Sequence, residues 1–207
     1  TKAIMIVHYA GGICNVDEIY KIAKKNNLRV IEDAAHAFGS TKNGKVIGSF
    51  GDIVCFSFDG IKNITSGEGG CITTSDQTII DKIKNARLLG VVNDTEQRFN
   101  GKRSWDFNVV EQGWRYHMSN IMAAIGIEQL KKFHLFEKKR KYLANYYKKI
   151  LSQSDNIKLL DIDYKNCVPH IFVVLILKQF DRDSLRKKLL NLGIETGVHY
   201  YPNHKLS

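Results

Sequence analysis

No stretch of the 207 residues approaches the roughly 20 consecutive apolar residues that a bilayer-crossing helix needs. No basic, apolar, small-residue leader opens the chain either. Together these absences predict a cytoplasmic protein without a membrane partner. The sequence also lacks any C-x-x-C pair: Cys14, Cys55, Cys71 and Cys167 lie far apart, two of them inside apolar runs (IVCFSF and GGCITT) where a thiol behaves as a small hydrophobe. Buried reduced thiols are the expectation, with neither a disulfide framework nor a metal site. Nucleic-acid motifs are missing as well. Lys and Arg exceed Asp and Glu by 31 − 21 = +10, but the lysines are scattered or lie on helix faces (KIAKKNN, EKKRKYLANYYKK). That charge reads as a solvated surface with some attraction for anionic, phosphate-bearing ligands, and not as a nucleic-acid footprint. Internal repeats and low-complexity segments are absent too.

What is present is an ordinary globular balance, 43% hydrophobic and 25% charged. A chain of this length buries about 70% of the surface its unfolded form exposes, enough for one core and a smaller lobe. Ala3 to Val7 (AIMIV) is predicted as a buried strand. Val16, Ile19, Tyr20, Ile22 and Ala23 then fall at helical spacing behind Asn15 in the N-cap position, and Leu28 to Ile31 (LRVI) is the next strand. Strand, helix, strand in this order asks for a parallel sheet with crossover helices. Lys42 to Lys45 (KNGK) carries an Asn-Gly turn signal, Ile53 to Phe58 and Cys71 to Thr74 are further strands, and Asp76 to Leu89 is an amphipathic helix. Gly90 to Gly113 has no sustained period and reads as a long functional loop. Ser119 caps an apolar helix through Leu130, and a charged helix follows from about Phe136 to Leu151. A strand from His170 to Leu177, a helix from Asp183 to Leu192 and a strand-like GVHYY close the pattern. The expected division is residues 1–135, then residues 136–207 as a linking helix and part of a smaller α+β lobe.

The chemistry concentrates between Glu32 and Gly70. Asp33 sits at the C-terminal end of a predicted parallel strand, where open α/β sheets place ligand groups. Ser57 ends another apolar strand, and Lys62 follows five residues later in a loop leading into GEGG. A carboxylate, a hydroxyl and an amine thus converge on one edge of a sheet. Pyridoxal phosphate asks for these residue types: a lysine for its aldehyde, a carboxylate to keep its pyridine nitrogen protonated, and hydroxyl and backbone N–H donors for its phosphate. Taken singly, the same residues have plainer explanations. Lys62 reads as a solvated loop lysine, Asp33 as a helix cap, and His36 as a hydrogen-bonded core histidine.

Four ordered segments, EDAAHAFGS (Glu32 to Ser40), GSFGDIVCFSF (Gly48 to Phe58), IKNITSGEGG (Ile61 to Gly70) and GWRYHMSNIMAAIGIEQL (Gly113 to Leu130), resemble the DegT/DnrJ/EryC1/StrS family of pyridoxal-phosphate-dependent nucleotide-sugar aminotransferases. The resemblance covers nearly the whole chain. It implies an α/β protein of PLP-dependent transferase fold type I, aspartate aminotransferase-like, with a three-layer αβα large domain and part of a smaller α+β C-terminal domain. It also implies a homodimer with shared active sites, pyridoxal 5'-phosphate as cofactor, an amino-acid donor such as L-glutamate, and a nucleotide-linked keto-deoxysugar as acceptor.

By the same resemblance Lys62 is the lysine that binds the cofactor aldehyde and shuttles a proton. Asp33 partners the pyridine nitrogen, Ala35 lies against one ring face, His36 bonds the phenolic oxygen, and Ser57 binds the phosphate. Asn63 follows the lysine as in many relatives, with a turn-forming role equally open. Gly113 to Met118 reads GWRYHM where the family more often has G-Y-N-Y-R-M, whose Asn reaches a partner's phosphate. Arg115 stands at that place and is itself a good phosphate ligand. His199, Tyr200 and His204 in VHYYPNH match a segment near the substrate. Arg103, Trp105 and Phe107 in the irregular loop are candidates to cover the sugar nucleotide, with an interface loop that makes no substrate contact equally open. The family also carries a substantial stretch ahead of the first strand seen here, with a helix N-terminus for the phosphate and an aromatic for the other ring face. An internal portion of a longer enzyme is therefore expected. The alternatives are a sugar dehydratase of the same fold, against which Lys62 argues because that branch has His there, and a catalytically incomplete fragment or binding relative.

Overall fold

The computed structural model describes residues 1–92, 100–101, 108–177 and 179–205. They divide into two compact units, Thr1–Asn145 with Ile162–Phe172, and Tyr146–Asp161 with Val173–Ser207. No helix among the described residues is long and apolar enough to cross a membrane.

The first unit is built on a four-stranded sheet. Strands β1 (Ala3–Val7), β2 (Arg29–Asp33), β5 (Ile53–Ser57) and β6 (Gly70–Thr73) lie in the order β1-β2-β5-β6. The first three are parallel, as the strand–helix–strand order required. β6 instead runs antiparallel to β5, because the loop between them turns the chain straight back, with the Phe58 amide donating to the Gly69 carbonyl at 2.8 Å. Between β2 and β5, the short strands β3 (Thr41–Lys42) and β4 (Lys45–Val46) form a hairpin. Its central Asn43 and Gly44 have φ of 51° and 76°, the left-handed pair that a tight hairpin turn demands.

Helix α1 (Val16–Lys25) returns the chain from β1 to β2, with Asp17 and Glu18 in its first turn and Lys24 and Lys25 in its last, matching the helix dipole. Asn15 stands at the N-cap position but makes no capping bond: its amide donates to the Glu18 carboxylate at 2.7 Å instead. Helix α2 (Gln77–Ala86) is capped by the Asp76 carboxylate, which accepts from the Thr78 and Ile79 amides. It stops three residues short of the expected Leu89, which has left-handed φ of 62° and leads into Gly90 at 75°.

Helix α3 (Asn120–Leu151) corrects a larger expectation. The apolar and charged helices are one continuous element of 32 residues, since no Gly or Pro interrupts the Lys131 to Leu135 stretch between them. Ser119 caps it as expected, accepting from the Met122 amide at 3.3 Å. Gly39 packs flat against this helix, where a Cβ would stand 2.3 Å from the Phe133 ring.

Two buried apolar clusters fill the first unit. One joins Ile6, Val16, Ala23 and Val30, and the other Ala34, Ala37, Ile47, Val54 and Phe56. Full burial of each such aliphatic side chain contributes roughly 1.5–3 kcal/mol. Residues Ile162–Phe172 cross this unit as a strap. Ser40 Oγ donates to the Gly11 carbonyl and accepts from the Val168 amide, and Arg140 donates to the Pro169 and His170 carbonyls. The expected strand from His170 to Leu177 is accordingly shortened, its first residues being held by the strap's own bonds, such as His170 N–H to Ala10 O at 3.2 Å.

In the second unit β7 (Ile157–Leu159) pairs antiparallel with β8 (Val174–Ile176), and helix α4 (Arg182–Asn191) is capped by Asp181. The strand expected from Gly197 to Tyr201 does not form, and no ladder partner for it lies among the described residues. All four cysteines are free, but only Cys167 is buried, and Cys71 is exposed on the edge strand. Arg103, Trp105 and Phe107 lie outside the described residues. The ends of their loop close on each other through a Val91–Val109 bridge.

Candidate active site on the open face of the sheet

The register of the sheet decides which side chains meet. Val7 pairs with Asp33, Asp33 with Cys55, and Ser57 with Gly70. Side chains alternate along a strand, and paired residues share a face. Asp33, Cys55 and Ser57 therefore stand on one face, while Ile6, Val30, Glu32, Val54 and Phe56 point to the other, where α1 packs. The burial pattern of β2 and β5 follows the same alternation.

Asp33 ends β2. One carboxylate oxygen, Oδ1, accepts from the Ala35 amide at 3.0 Å, and its backbone carbonyl accepts from the His8 amide at 3.0 Å. The helix-cap alternative is thus realised only as a local turn, which leaves the aspartate on the open face. Its charge is felt by its neighbour: burial first, and then the Asp33 carboxylate, push the Cys55 thiol above its ordinary range. Ser57 ends β5, and its Oγ accepts from the Asp59 amide at 3.3 Å. Its cross-strand neighbour is Gly70, where a Cβ would sit 2.4 Å from the Phe56 carbonyl oxygen. That crowding keeps the position a glycine, so no side chain stands beside the serine.

Lys62 lies half-buried in the loop from β5 to β6. This loop is tied at several points. The Lys62 amide donates to Asp59 O, Ser66 N to Phe58 O, and Thr65 Oγ1 to Phe58 O. Asn63, Ile64 and Ser66 are buried beneath it. Asn63 donates its amide to the carbonyls of Phe38 at 3.3 Å and Val168 at 3.2 Å, while its Oδ1 is buried without a hydrogen-bond partner among the described residues. Asn63 therefore bolts the lysine loop to the strap. Met118 closes over the loop from the other side, since a Cβ on Gly69 would stand 2.7 Å from its methyl carbon.

Ala35 is half-buried and His36 buried. His36 Nδ1 accepts from the Ala10 amide at 3.3 Å, and its ring centroid lies 4.2 Å from that of His170. Arg115 is exposed on a strip bridged to Leu88 at the end of α2, next to the stacked rings of Trp114 and Tyr116. His199, Tyr200 and His204 belong to the second unit. There the rings of His199 and Tyr200 lie 4.0 Å apart, and His204 is exposed in a single turn.

Sequence reasoning missed a buried polar network on the opposite face. Glu32 Oε2 meets His8 Nε2 at 2.8 Å, and Glu32 Oε1 accepts from Tyr20 OH at 2.6 Å. The available signal was Glu32 itself, a charged residue at an inward position of an alternating strand.

A sheet of three parallel strands with an antiparallel fourth, carrying an acid and a hydroxyl on one face and a lysine on the following loop, matches known structures closely. Helicobacter pylori PseC, described as an aminotransferase involved in the biosynthesis of pseudoaminic acid, superposes with a TM-score of 0.88 at 30% identity, over 99% of this chain and 54% of that one. The fold is the α/β fold of type I PLP-dependent transferases. The chain belongs to the DegT/DnrJ/EryC1/StrS aminotransferase family, whose model matches residues 1–207. It is 42% identical to the Methanocaldococcus jannaschii protein MJ1066 over 99% of this chain and 54% of that protein. It is 36% identical to a Campylobacter jejuni UDP-4-amino-4,6-dideoxy-N-acetyl-beta-L-altrosamine transaminase, over 99% of this chain and 53% of that enzyme. The chain thus spans about half the length of the curated relatives it matches.

Proposed function

We propose that this chain is the cofactor-bearing part of an aminotransferase that uses pyridoxal 5'-phosphate to move an amino group from an amino acid, L-glutamate by family resemblance, to a nucleotide-linked keto-deoxysugar. The observation that carries this reading is the placement of Asp33 and Ser57 on one open sheet face, one strand apart, with Lys62 on the tied loop that leaves β5. The donor set fits the cofactor: an amine, a carboxylate and a hydroxyl whose cross-strand neighbour is an obligate glycine. The relatives' names support the substrate class, since one is a UDP-sugar transaminase and another serves pseudoaminic acid biosynthesis.

When bound, pyridoxal phosphate supplies an aldehyde to take up the amino group and a ring that withdraws electrons while its nitrogen stays protonated. Lys62 would hold that aldehyde through Nζ and would carry the proton between the reacting carbons. Asp33 keeps the proton on the ring nitrogen. Ser57, whose Oγ already accepts from Asp59, offers its hydrogen to the phosphate. By the family resemblance Ala35 would lie against one ring face, His36 would bond the phenolic oxygen, and Arg115 would bind phosphate. Asn63 acts through the loop it bolts in place. His199, Tyr200 and His204 bind the sugar nucleotide. The protein works as a cytoplasmic homodimer, with residues 1–135 in the cofactor domain and 136–207 forming the linking helix and part of the small domain.

In the full chain mixed with pyridoxal phosphate, borohydride should fix the cofactor covalently, and peptide mapping should find it on Lys62. Lys62→Ala should abolish the trapping entirely, and trapping that survives that substitution refutes the assignment. Incubation with nucleotide-linked keto-sugars and glutamate, followed by 2-oxoglutarate release, tests the substrate class.

A further inference from the structure

We infer that His8, Tyr20 and Glu32, on the closed face of the sheet, are positioning residues that set the orientation of the Asp33 carboxylate on the open face. This rests on the reading of Asp33 as the partner of the cofactor nitrogen. The network is directional. The Cys14 amide donates to His8 Nδ1 at 3.2 Å, so the imidazole proton sits on Nε2 and is donated to Glu32 Oε2 at 2.8 Å. The Asp52 amide donates to Tyr20 Oη at 2.7 Å, and the Tyr20 hydroxyl donates to Glu32 Oε1 at 2.6 Å. Burial, and then the bond to Glu32, push the Tyr20 phenol well above its ordinary value, so it remains a donor. Two lines of donors from β1, α1 and the approach to β5 therefore converge on one carboxylate. Gly51 closes the remaining side, since a Cβ there would stand 2.4 Å from Glu32 Oε1.

His8 and Glu32 are fully buried. Apolar residues fill the neighbouring inward positions Ile6, Val30 and Val54, and packing alone would be served as well by an apolar residue at position 32. What the carboxylate adds is direction: a satisfied buried ion has one low-energy geometry, whereas an aliphatic side chain has several. That direction is transmitted to Asp33 by adjacency and by a second bond. His8 grips Glu32 through its side chain and the Asp33 carbonyl through its backbone amide at 3.0 Å. Residues 32 and 33 are thus clamped from one residue of β1's end, with Asp33 Oδ1 turned by the Ala35 amide. A loosened clamp lets the strand end rotate and moves the carboxylate away from the ring nitrogen.

The test uses the full chain loaded with pyridoxal phosphate and compares Glu32→Gln, Tyr20→Phe and Asp33→Asn with the parent. Four quantities are read: borohydride trapping on Lys62, the cofactor dissociation constant, the pH midpoint of the bound cofactor's absorbance change, and the thermal midpoint. Trapping on Lys62 should persist in both network variants. Cofactor affinity should fall roughly tenfold in Glu32→Gln and about threefold in Tyr20→Phe, from the loss of one or more charge-assisted hydrogen bonds. The pH midpoint should move in the direction set by Asp33→Asn, by a smaller amount. Tyr20→Phe keeps the side-chain shape and decides the matter if Glu32→Gln does not fold. A lowered thermal midpoint with unchanged affinity and pH midpoint in Tyr20→Phe overturns the positioning role and leaves an ordinary core contact. A parent chain that is not trapped at all overturns the cofactor reading, and with it this role for Asp33.

Discussion

The two faces of the four-stranded sheet come from the same strands and differ in almost everything else. On the side of α1, Val30 and Val54 are 1% exposed and Glu32 is 0% exposed. On the other side Met5 is 65%, Val7 47% and Ile72 45% exposed, with the half-buried Asp33 and Ser57 between them. On the closed face a buried carboxylate, Glu32, is held by two donors, while Thr73 Oγ1, opposite Val54, is buried without a hydrogen-bond partner among the described residues. The open face leaves its acid and hydroxyl only partly committed, each holding one backbone amide. The apolar core thus lies on one side of the sheet and the proposed reacting groups on the other. The period of two along each strand puts Glu32 and Asp33, adjacent in sequence, on opposite sides of that division.

Neighbouring substitutions should break the comparison in opposite directions. After the complete loss of trapping in Lys62→Ala, the largest effect belongs to Asp33→Ala. It should nearly stop turnover and weaken cofactor retention, yet shift the unfolding free energy of the cofactor-free protein by less than about 1 kcal/mol. Denaturant melts beside a 2-oxoglutarate assay check this, and unchanged turnover removes Asp33 from the reaction. Glu32→Ala should do the reverse in stability, costing about 3 kcal/mol because two buried donors lose their acceptor. Val54→Ala, a purely apolar change on the closed face, should cost about 2 kcal/mol from lost burial and a residual cavity. Its cofactor affinity should stay at the parent value, which equilibrium titration measures.

The legible parts of this molecule were those encoded over short spans. The parallel strands declared themselves by apolar runs, the hairpin by Asn43–Gly44, and one cap by Ser119 beside its helix; Asp76, expected as the first helical residue, is instead the cap of α2. Asp33, Ser57 and Lys62 stood out because each lies within a few residues of a strand end. Parts that depend on distant partners were harder to read. One local miss stands beside them: Asn15 gives its side-chain amide to the Glu18 carboxylate instead of accepting from a first-turn backbone amide. The unbroken α3 depended on the absence of a breaker between two differently composed faces. The first residues of the His170 to Leu177 run were taken up by the strap that crosses the first unit. The His8–Glu32 pair spans 24 residues, and recognising it requires knowing that β1 and β2 are neighbours in register. The groups proposed to react lie at strand ends on the open face, whereas order on the closed face is made by tertiary contacts.

The smallest effect should come from the edge of the sheet where β2 and β5 begin. Arg29, at the start of β2, donates Nε to Asp52 Oδ2 at 2.8 Å and Nη1 to Asp76 Oδ2 at 3.0 Å, and the Val30 amide adds a further bond to Asp52 Oδ2 at 3.0 Å. The Arg29 guanidinium, and after it the Val30 amide, hold the Asp52 carboxyl below its ordinary value against the opposing effect of burial. A carboxyl whose pKa is lower in the folded state binds fewer protons there than in the unfolded chain, so stability rises with pH across that interval. Asp52 should therefore contribute in full above its unfolded pKa of about 3.9 and lose that contribution as pH falls through the lower folded value. Asp52→Asn should flatten the stability curve below about pH 4 and lower it slightly at neutral pH, where solvent screens a half-exposed pair. Urea midpoints measured from pH 3 to pH 7 give the comparison. An unchanged acid slope would mean that this edge carries no proton-linked stability and that the closed face is held by its buried atoms alone.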